Sequence, residues 1–266
     1  MTIVMNMLEQ AHAMFRRIDE QRAGEARIAA FDLDGTLLMH DVGEAVLRLL
    51  IADGFLAPQA WNEYAALLTR DRIAAYRRAV TLMHGLSPIV IEEATLDAIF
   101  DQYTPRRGYL PRHVRPRVNT AMRSFVALLQ DRGWDVIILS ASNAISVRIT
   151  ASVLYGVSQH RAFGVDVEYD NNLLTDRIVE PAPIGEGKVQ VYRSVFGDQA
   201  PMLTAGDSTL DLPLLGLTDP LGLSLWLGEP AELSAHPDAL QGIPSSICMV
   251  PSDDFSDLAQ QHSHIG

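Results

Sequence analysis

The sequence predicts an α/β protein: a parallel sheet core, with a block of helices inserted between its first two strands. Three observations carry this. Short apolar runs before Asp32, before Ser140 and before Gly206-Asp207 each stop at a polar or acidic residue. Such runs, bounded by turn signals, read as buried strands. Between the first and second of them, residues 41–118 hold helical patterns and no strand. Helical segments then flank the second strand, as a parallel sheet requires of its connections.

In chain order, residues 2–22 read as an amphipathic helix, with Val4, Leu8, Ala11, Phe15 and Ile18 near helical spacing and turned onto the core. Residues 27–34 are the first core strand. Residues 42–52 and 58–84 read as helices broken at Asp53-Gly54, and 88–102 as another. A core helix spans 120–132 and ends at Gly133, the second strand runs 135–140, and a helix follows near 143–154. Strands near 163–168 and 174–179, around Asp170-Asn171-Asn172, predict a hairpin. Residues 221–227 and 246–250 read as late core strands, and no repeat is visible.

Composition bounds the function. At 266 residues, 48% apolar and 20% charged, the chain is an ordinary globular protein of one large domain or a core with an insertion. Cys248 is its single cysteine, which excludes an internal disulfide and suits a cytoplasmic setting. A formal charge of −12 argues against nucleic acid or an anionic membrane as partner. No stretch approaches the ~20 apolar residues of a membrane span. Asn6, Glu9 and Gln10 interrupt the first apolar run, and no basic residue opens it, unlike a signal peptide. The eight histidines show no close zinc-ligand grouping, and nothing bears on oligomeric state.

The strand ends carry the chemistry. Asp32 and Asp34 start on the same side of a strand, since residues two apart share a face. Gly35 then lets the backbone turn. Carboxyl ends of parallel strands are where open α/β sheets bind ligands. Paired carboxyl groups there can divide into nucleophile and proton carrier; the alternative is an Asp-Gly turn with solvated acids. Ser140 ends the second strand just before a helix start, whose free N–H groups suit a phosphate. Ser142 and Asn143 read equally as helix caps. Of 21 basic residues, Lys188 is the only lysine, in Gly185-Glu186-Gly187-Lys188. A compact ammonium is kept where a planar guanidinium would not fit. Asp207 and Asp211 close the set; Asp211 also reads as a cap before Pro213.

These four segments, Asp32-Leu33-Asp34-Gly35-Thr36, Ser140, Gly187-Lys188 and Gly206-Asp207-x-x-x-Asp211, resemble in order the motifs of the haloacid dehalogenase-like hydrolase superfamily, most of whose members are phosphatases. The resemblance covers roughly residues 25–250. It implies a Rossmann-like parallel sheet core at 25–40 and 119–266, an all-α cap domain at 41–118 in the position of phosphoserine phosphatase-like members, and an N-terminal helix at 1–24 packed on the core. It implies Asp32 as nucleophile, Asp34 as general acid/base, and Ser140 and Lys188 as phosphate ligands, with Thr36, Gly35 and Ala141 beside the phosphate. Magnesium falls to Asp32, the backbone carbonyl of Asp34, and Asp207, with Asp211 and Ser208 supporting. The true dehalogenases lack the second Asp, so Asp34 points to phosphoryl chemistry on a small phosphorylated metabolite. A phosphotransferase through the same aspartyl-phosphate is the alternative; a non-catalytic phosphate-binding module fits less well.

The substrate is where the resemblance departs. Phosphoserine phosphatases carry an acid nine residues after the nucleophile, and Asp41 holds that place, as an amine site or as a plain helix cap. Their cap arginine position corresponds to Ala79, with Arg78 beside it. Phosphorylated amino alcohols are therefore expected to serve at least as well as phosphoserine. The acid-free segment 105–117, with Arg106, Arg107, Arg112, Arg115 and Arg117, reads either as an anion collector or as a solvated return from the cap.

Overall fold

The structure, a computed structural model, describes residues 2–22, 24–100, 114–237 and 247–249. Helix α1 (Thr2–Gln21) leads into strand β1 (Ile28–Phe31). The short β2 (Leu38–Met39) opens onto four helices: α2 (Val42–Ala52), α3 (Gln59–Leu68), α4 (Arg72–Thr81) and α5 (Pro88–Phe100). The chain returns through β3 (Arg117–Val118), α6 (Thr120–Asp131), β4 (Asp135–Asn143), α7 (Ala144–Tyr155) and β5 (Ala162–Val165). A hairpin of β6 (Val167–Asp170) and β7 (Leu173–Ile178) follows, then α8 (Glu186–Phe196), β8 (Leu203–Gly206), α9 (Leu212–Leu215), β9 (Leu223–Trp226), α10 (Pro230–Ser234) and β10 (Ile247–Met249).

Six strands form one sheet in the order β10-β9-β8-β1-β4-β5, with every pairing parallel. β1 lies at its centre, between β4 and β8, and every residue of Ile28–Phe31 is buried, as a parallel strand covered on both faces must be. The expected α/β class and parallel sheet are therefore present. From α1, Ala11, Met14, Phe15 and Ile18 are buried in the main apolar cluster, where Phe15 meets Trp134 edge-on at 5.6 Å. The side chains of Val4 and Leu8 lie outside the described residues, as does most of the arginine-rich segment.

Four elements differ from the sequence expectation. The short β3 at Arg117–Val118 falls inside the block read as helical without a strand, and β4 runs past Ser140 to Asn143. The helix expected over 58–84 is two, because Asp71 caps a new start by accepting from Ala74 N at 2.9 Å. The strand expected near 163–168 is also two: β5 ends in the sheet at Val165, and β6 begins the hairpin two residues later. Asp166 makes that change of direction, its backbone C=O accepting from Val179 N and its carboxylate from Val167 N and Arg148. The hairpin turn itself falls at Asn171 and Asn172, both with positive φ, as a two-residue hairpin loop demands.

The inserted helices join the core closely. Val42, Val46, Leu49, Ile91 and Ala94 belong to the same apolar cluster as the sheet, while Leu47, Tyr64 and Ala75 form a small cluster between α2, α3 and α4. The antiparallel β2–β3 pair ties the two crossings together through Leu38–Val118 and Met39–Arg117. The hairpin grips the far side, with Gly85 N donating to Leu174 O and Leu174 N to Leu86 O.

Candidate active site

Three adjacent strands, β8, β1 and β4, deliver their carboxyl ends to one cavity of about 510 Å³. Asp32 follows β1 directly, its N–H donating to Ala205 O at 2.9 Å, and is 5% exposed. Gly35 turns the chain at φ +84°, and a Cβ there would fall 2.1 Å from Asp207 Oδ2. Glycine is needed twice at this point, for the backbone and for the approach of Asp207. The turn is braced from behind. Asn119 donates through Nδ2 to Thr36 O and through its backbone N to Leu37 O, and Tyr155 OH also donates to Leu37 O. Thr36 is fully buried, its hydroxyl 3.5 Å from Asp207 Oδ1.

Lys188 stands in the first turn of α8 and is 2% exposed. Gly187 lets that turn pack tightly, since a Cβ there would overlap Ala182 O. Lys188 Nζ donates to Asp32 Oδ1 and to Asp211 Oδ1, each at 2.5 Å. Burial disfavours the ammonium, but the two carboxylates outweigh it and hold its pKa above the ordinary lysine value. Asp211 is fully committed: its other oxygen accepts from Asp207 N, Ser208 N and Ser208 Oγ at 3.2, 2.9 and 3.0 Å. At the start of α9 the Asp211 side chain caps no N–H and reaches back to Ser208 instead, so its contacts fit the lysine-orienting reading and not that of a cap before Pro213.

Asp34 is held by three donors. Oδ1 accepts from Val42 N at 2.7 Å, and Oδ2 from Ser140 Oγ and Ser142 Oγ at 2.7 and 2.8 Å. Ser140 is wholly buried and addresses Asp34; its neighbour Ala141 lines the cavity. Asp41 caps α2, accepting from Glu44 N at 2.8 Å, and also lines the cavity. The cap reading of that residue is borne out, and its place in the cavity wall leaves its carboxylate facing the site. Asn143 is a cap only, accepting from Ser146 N.

Carboxyl groups dominate the cavity: Asp32, Asp34, Asp41, Glu44, Asp207 and Asp211 face it, with Lys188 and Arg72 as the cations among the described residues. Burial pushes the Asp32 carboxyl well above the usual range; Lys188 opposes this, and the charges of Asp211, Asp207 and Asp34 add to it. Asp207 is pushed up to about 7, by burial first and then by Asp211. Carboxylate oxygens of Asp32, Asp207 and Asp211 lie within 4.8 Å of one another. A hard divalent cation fits this donor set and would relieve its repulsion. Because Asp211 is spent on Lys188 and the turn, Asp32 and Asp207 are the side chains available to such an ion.

Two residues escaped sequence reading. Ser142 shares a strand face with Ser140 two positions earlier, a spacing that was the available signal. Arg72 lines the cavity from α4 together with Tyr76, and lies 3.8 Å from Glu232 of α10. Arg78 instead pairs with Glu63 on the surface, and Ala79 packs in the small cluster among α2, α3 and α4.

Sequence and structure comparisons agree with this fold. The model of the haloacid dehalogenase-like hydrolase family matches residues 29–216, and the chain belongs to that family. No curated protein matches it in sequence. Among solved structures, it is similar to a protein of unknown function from Bordetella pertussis Tohama I, at 20% identity and a TM-score of 0.61, over 84% of this chain and 98% of that one. A functionally unknown protein from Anaerococcus prevotii DSM 20548 gives 15% identity and a TM-score of 0.65 over 90% of each chain. A phospho-aspartyl intermediate analogue of a phosphoserine phosphatase gives 16% identity and a TM-score of 0.52, over 85% of this chain and 93% of that one. The shared feature is the fold. No helix among the described residues is long and apolar enough to cross a membrane.

Proposed function

We propose that the chain is a magnesium-dependent phosphatase that hydrolyses a small phosphomonoester through an aspartyl-phosphate on Asp32. The observation that carries this reading is the buried contact of Lys188 with Asp32, beside an Asp34 held in one orientation by three donors.

An oxygen of Asp32 attacks phosphorus as the bond to the leaving oxygen breaks. Asp34 gives its proton to that oxygen, then takes one from the water that attacks the phosphoaspartate and releases phosphate. Lys188 neutralises charge on Asp32 and the transferring group. Gly35 and Ala141 line the cavity where the phosphate would rest, with Thr36 behind. Ser140 acts through Asp34, and Ser208 through Asp211. Asp32, Asp207 and the backbone carbonyl of Asp34 would hold magnesium, which when bound would supply positive charge to the phosphoryl group.

In this reading residues 41–118 form the cap over a core of 25–40 and 119–266, with 1–24 as a helix packed on it, and the cap selects the substrate. The partner is a small phosphorylated metabolite in the cytoplasm, with no role for nucleic acid or membrane. Asp41 and Glu44 favour a substrate amine, as in phosphocholine or phosphoethanolamine. One observation favours a second reading: Arg72 offers the cavity a guanidinium, which would receive a substrate carboxylate such as that of phosphoserine.

The test is phosphate release from a panel of phosphoesters with magnesium, with chelator, and with Asp32→Asn. Turnover that needs magnesium and vanishes in Asp32→Asn supports the reading; turnover surviving either change refutes it. A phosphorylated acceptor alcohol among the products would mark a phosphotransferase.

A further inference from the structure

The lone pairs of Asp34 are unevenly occupied. A carboxylate has about four acceptor positions, two on each oxygen. Ser140 and Ser142 fill both positions on Oδ2, at 2.7 and 2.8 Å. Val42 N–H fills one on Oδ1, at 2.7 Å. Among the described residues nothing donates to the second position on Oδ1, on a side chain that lines the cavity.

We propose that Ser142 is a positioning residue that, with Ser140, saturates Asp34 Oδ2 and so assigns the catalytic proton to Asp34 Oδ1. The proposal rests on the phosphatase reading. With the proton on Oδ1, that atom still accepts from Val42, and Oδ2 still accepts from both serines. No hydroxyl has to turn when Asp34 changes between acid and carboxylate, so the same contacts serve both half-reactions. In the first, the Oδ1 proton passes to the leaving oxygen as its bond to phosphorus breaks and the Asp32–phosphorus bond forms. In the second, Oδ1 takes a proton from water as the water oxygen bonds to phosphorus and the Asp32–phosphorus bond breaks. Were Oδ2 the carrier, a serine hydroxyl would have to swing away from it inside the protein.

Ser142 is built to hold still. Its hydroxyl oxygen accepts from Gly43 N at 3.2 Å, and the residue is 5% exposed. Among the described residues its hydrogen has one other acceptor, Asp41 Oδ1 at 3.3 Å, outside the usual range of an O–H···O bond. Gly43 makes room for it, since a Cβ there would lie 2.6 Å from Ser142 Oγ. Thus the first turn of α2 presses on the same hydroxyl that orders Asp34, and Asp41 of that turn stands at its edge. The contact links the helix that meets the substrate to the group that protonates it.

The experiment measures kcat and KM for wild type, Ser142→Ala and Ser142→Cys on an alkyl and an aryl phosphate, with thermal melts as folding controls. Cysteine fills the site but donates weakly, so it carries the test if the alanine variant unfolds. Leaving-group protonation matters far more for the alkyl ester. The expected result is a loss of about tenfold or more in kcat on the alkyl phosphate, little change on the aryl phosphate, and KM nearly unmoved on both. An equal loss on both esters, or a loss confined to KM, overturns the role of Ser142 alone. A wild-type protein inert to both esters overturns the phosphatase reading, and this proposal with it.

Discussion

Lys188 Nζ lies 2.5 Å from Asp32 Oδ1, and both side chains are almost completely buried. A buried charge is tolerable only when paired, and removing one partner of such a pair typically costs about 3–5 kcal/mol. The ammonium answers two carboxylates at once, Asp32 and Asp211, from a helix end packed closely against Ala182.

Lys188→Arg should therefore be a severe lesion although it keeps the charge. The planar guanidinium cannot take the place of an ammonium between two oxygens that both approach within 2.5 Å. Steady-state kinetics on a folded variant should show kcat reduced by about a hundredfold or more. Near-normal kcat would mean that charge alone is required at this position.

Asp34→Asn should remove the proton carrier while keeping the size of the side chain. An amide retains one acceptor oxygen, so part of the bonding to Ser140, Ser142 and Val42 survives. The rate loss should reach about 10²–10⁴-fold on an alkyl phosphate and be distinctly smaller on an aryl phosphate. Parallel losses across leaving groups of different acidity would remove Asp34 from the acid role.

Gly35→Ala should destabilise the chain as well as the site. The residue sits at φ +84°, where a side chain is strained by about 1–2 kcal/mol, and its new Cβ would displace Asp207. A thermal melt should show Tm lowered by several degrees, and the rise in melting temperature expected with magnesium in wild type should be lost. An unchanged magnesium response would mean that Asp207 does not depend on this glycine for its position.

How far the sequence revealed the site depended on whether a residue's role was local. Asp32, Asp34, Lys188, Asp207 and Asp211 each sit at a strand end or first helical turn, and apolar runs and glycines betray such places directly. The sheet was readable for the same reason. Arg72 and Ser142 gave no such signal, because their positions depend on how the helical insertion seats on the strand ends. Arg72 was hidden further by the expected continuous helix: only the new start at Asp71 turns it into the cavity. Ser142 read as a cap because a helix does begin two residues later, at Ala144, with Asn143 doing the capping. The strand break at Asp166 was missed because its causes, Arg148 and the backbone of Val179, lie 18 and 13 residues away in sequence.

Asp41 tests which substrate the cavity takes. Its carboxylate caps α2 and faces the cavity beside Glu44, which itself accepts from Tyr64 OH at 2.8 Å. Burial, then the charges of Asp34 and Glu44, pushes the Asp41 carboxyl well above the usual range. A cationic ligand group would favour its ionised form and be favoured in return. Asp41→Ala should thus raise KM for phosphocholine or phosphoethanolamine by about tenfold and leave a neutral aryl phosphate within about twofold, since a hydrogen-bonded charge contact is worth ~1.5–3 kcal/mol. The lost cap should also cost ~1 kcal/mol of stability, seen equally with or without substrate. Arg72→Ala run alongside separates the two substrate readings. If the carboxylate of phosphoserine is read by Arg72, that variant should lose phosphoserine selectively and leave the amino alcohol phosphates unaffected. An Asp41→Ala effect of the same size on every substrate would reduce Asp41 to a helix cap and leave the amine preference without a residue to carry it.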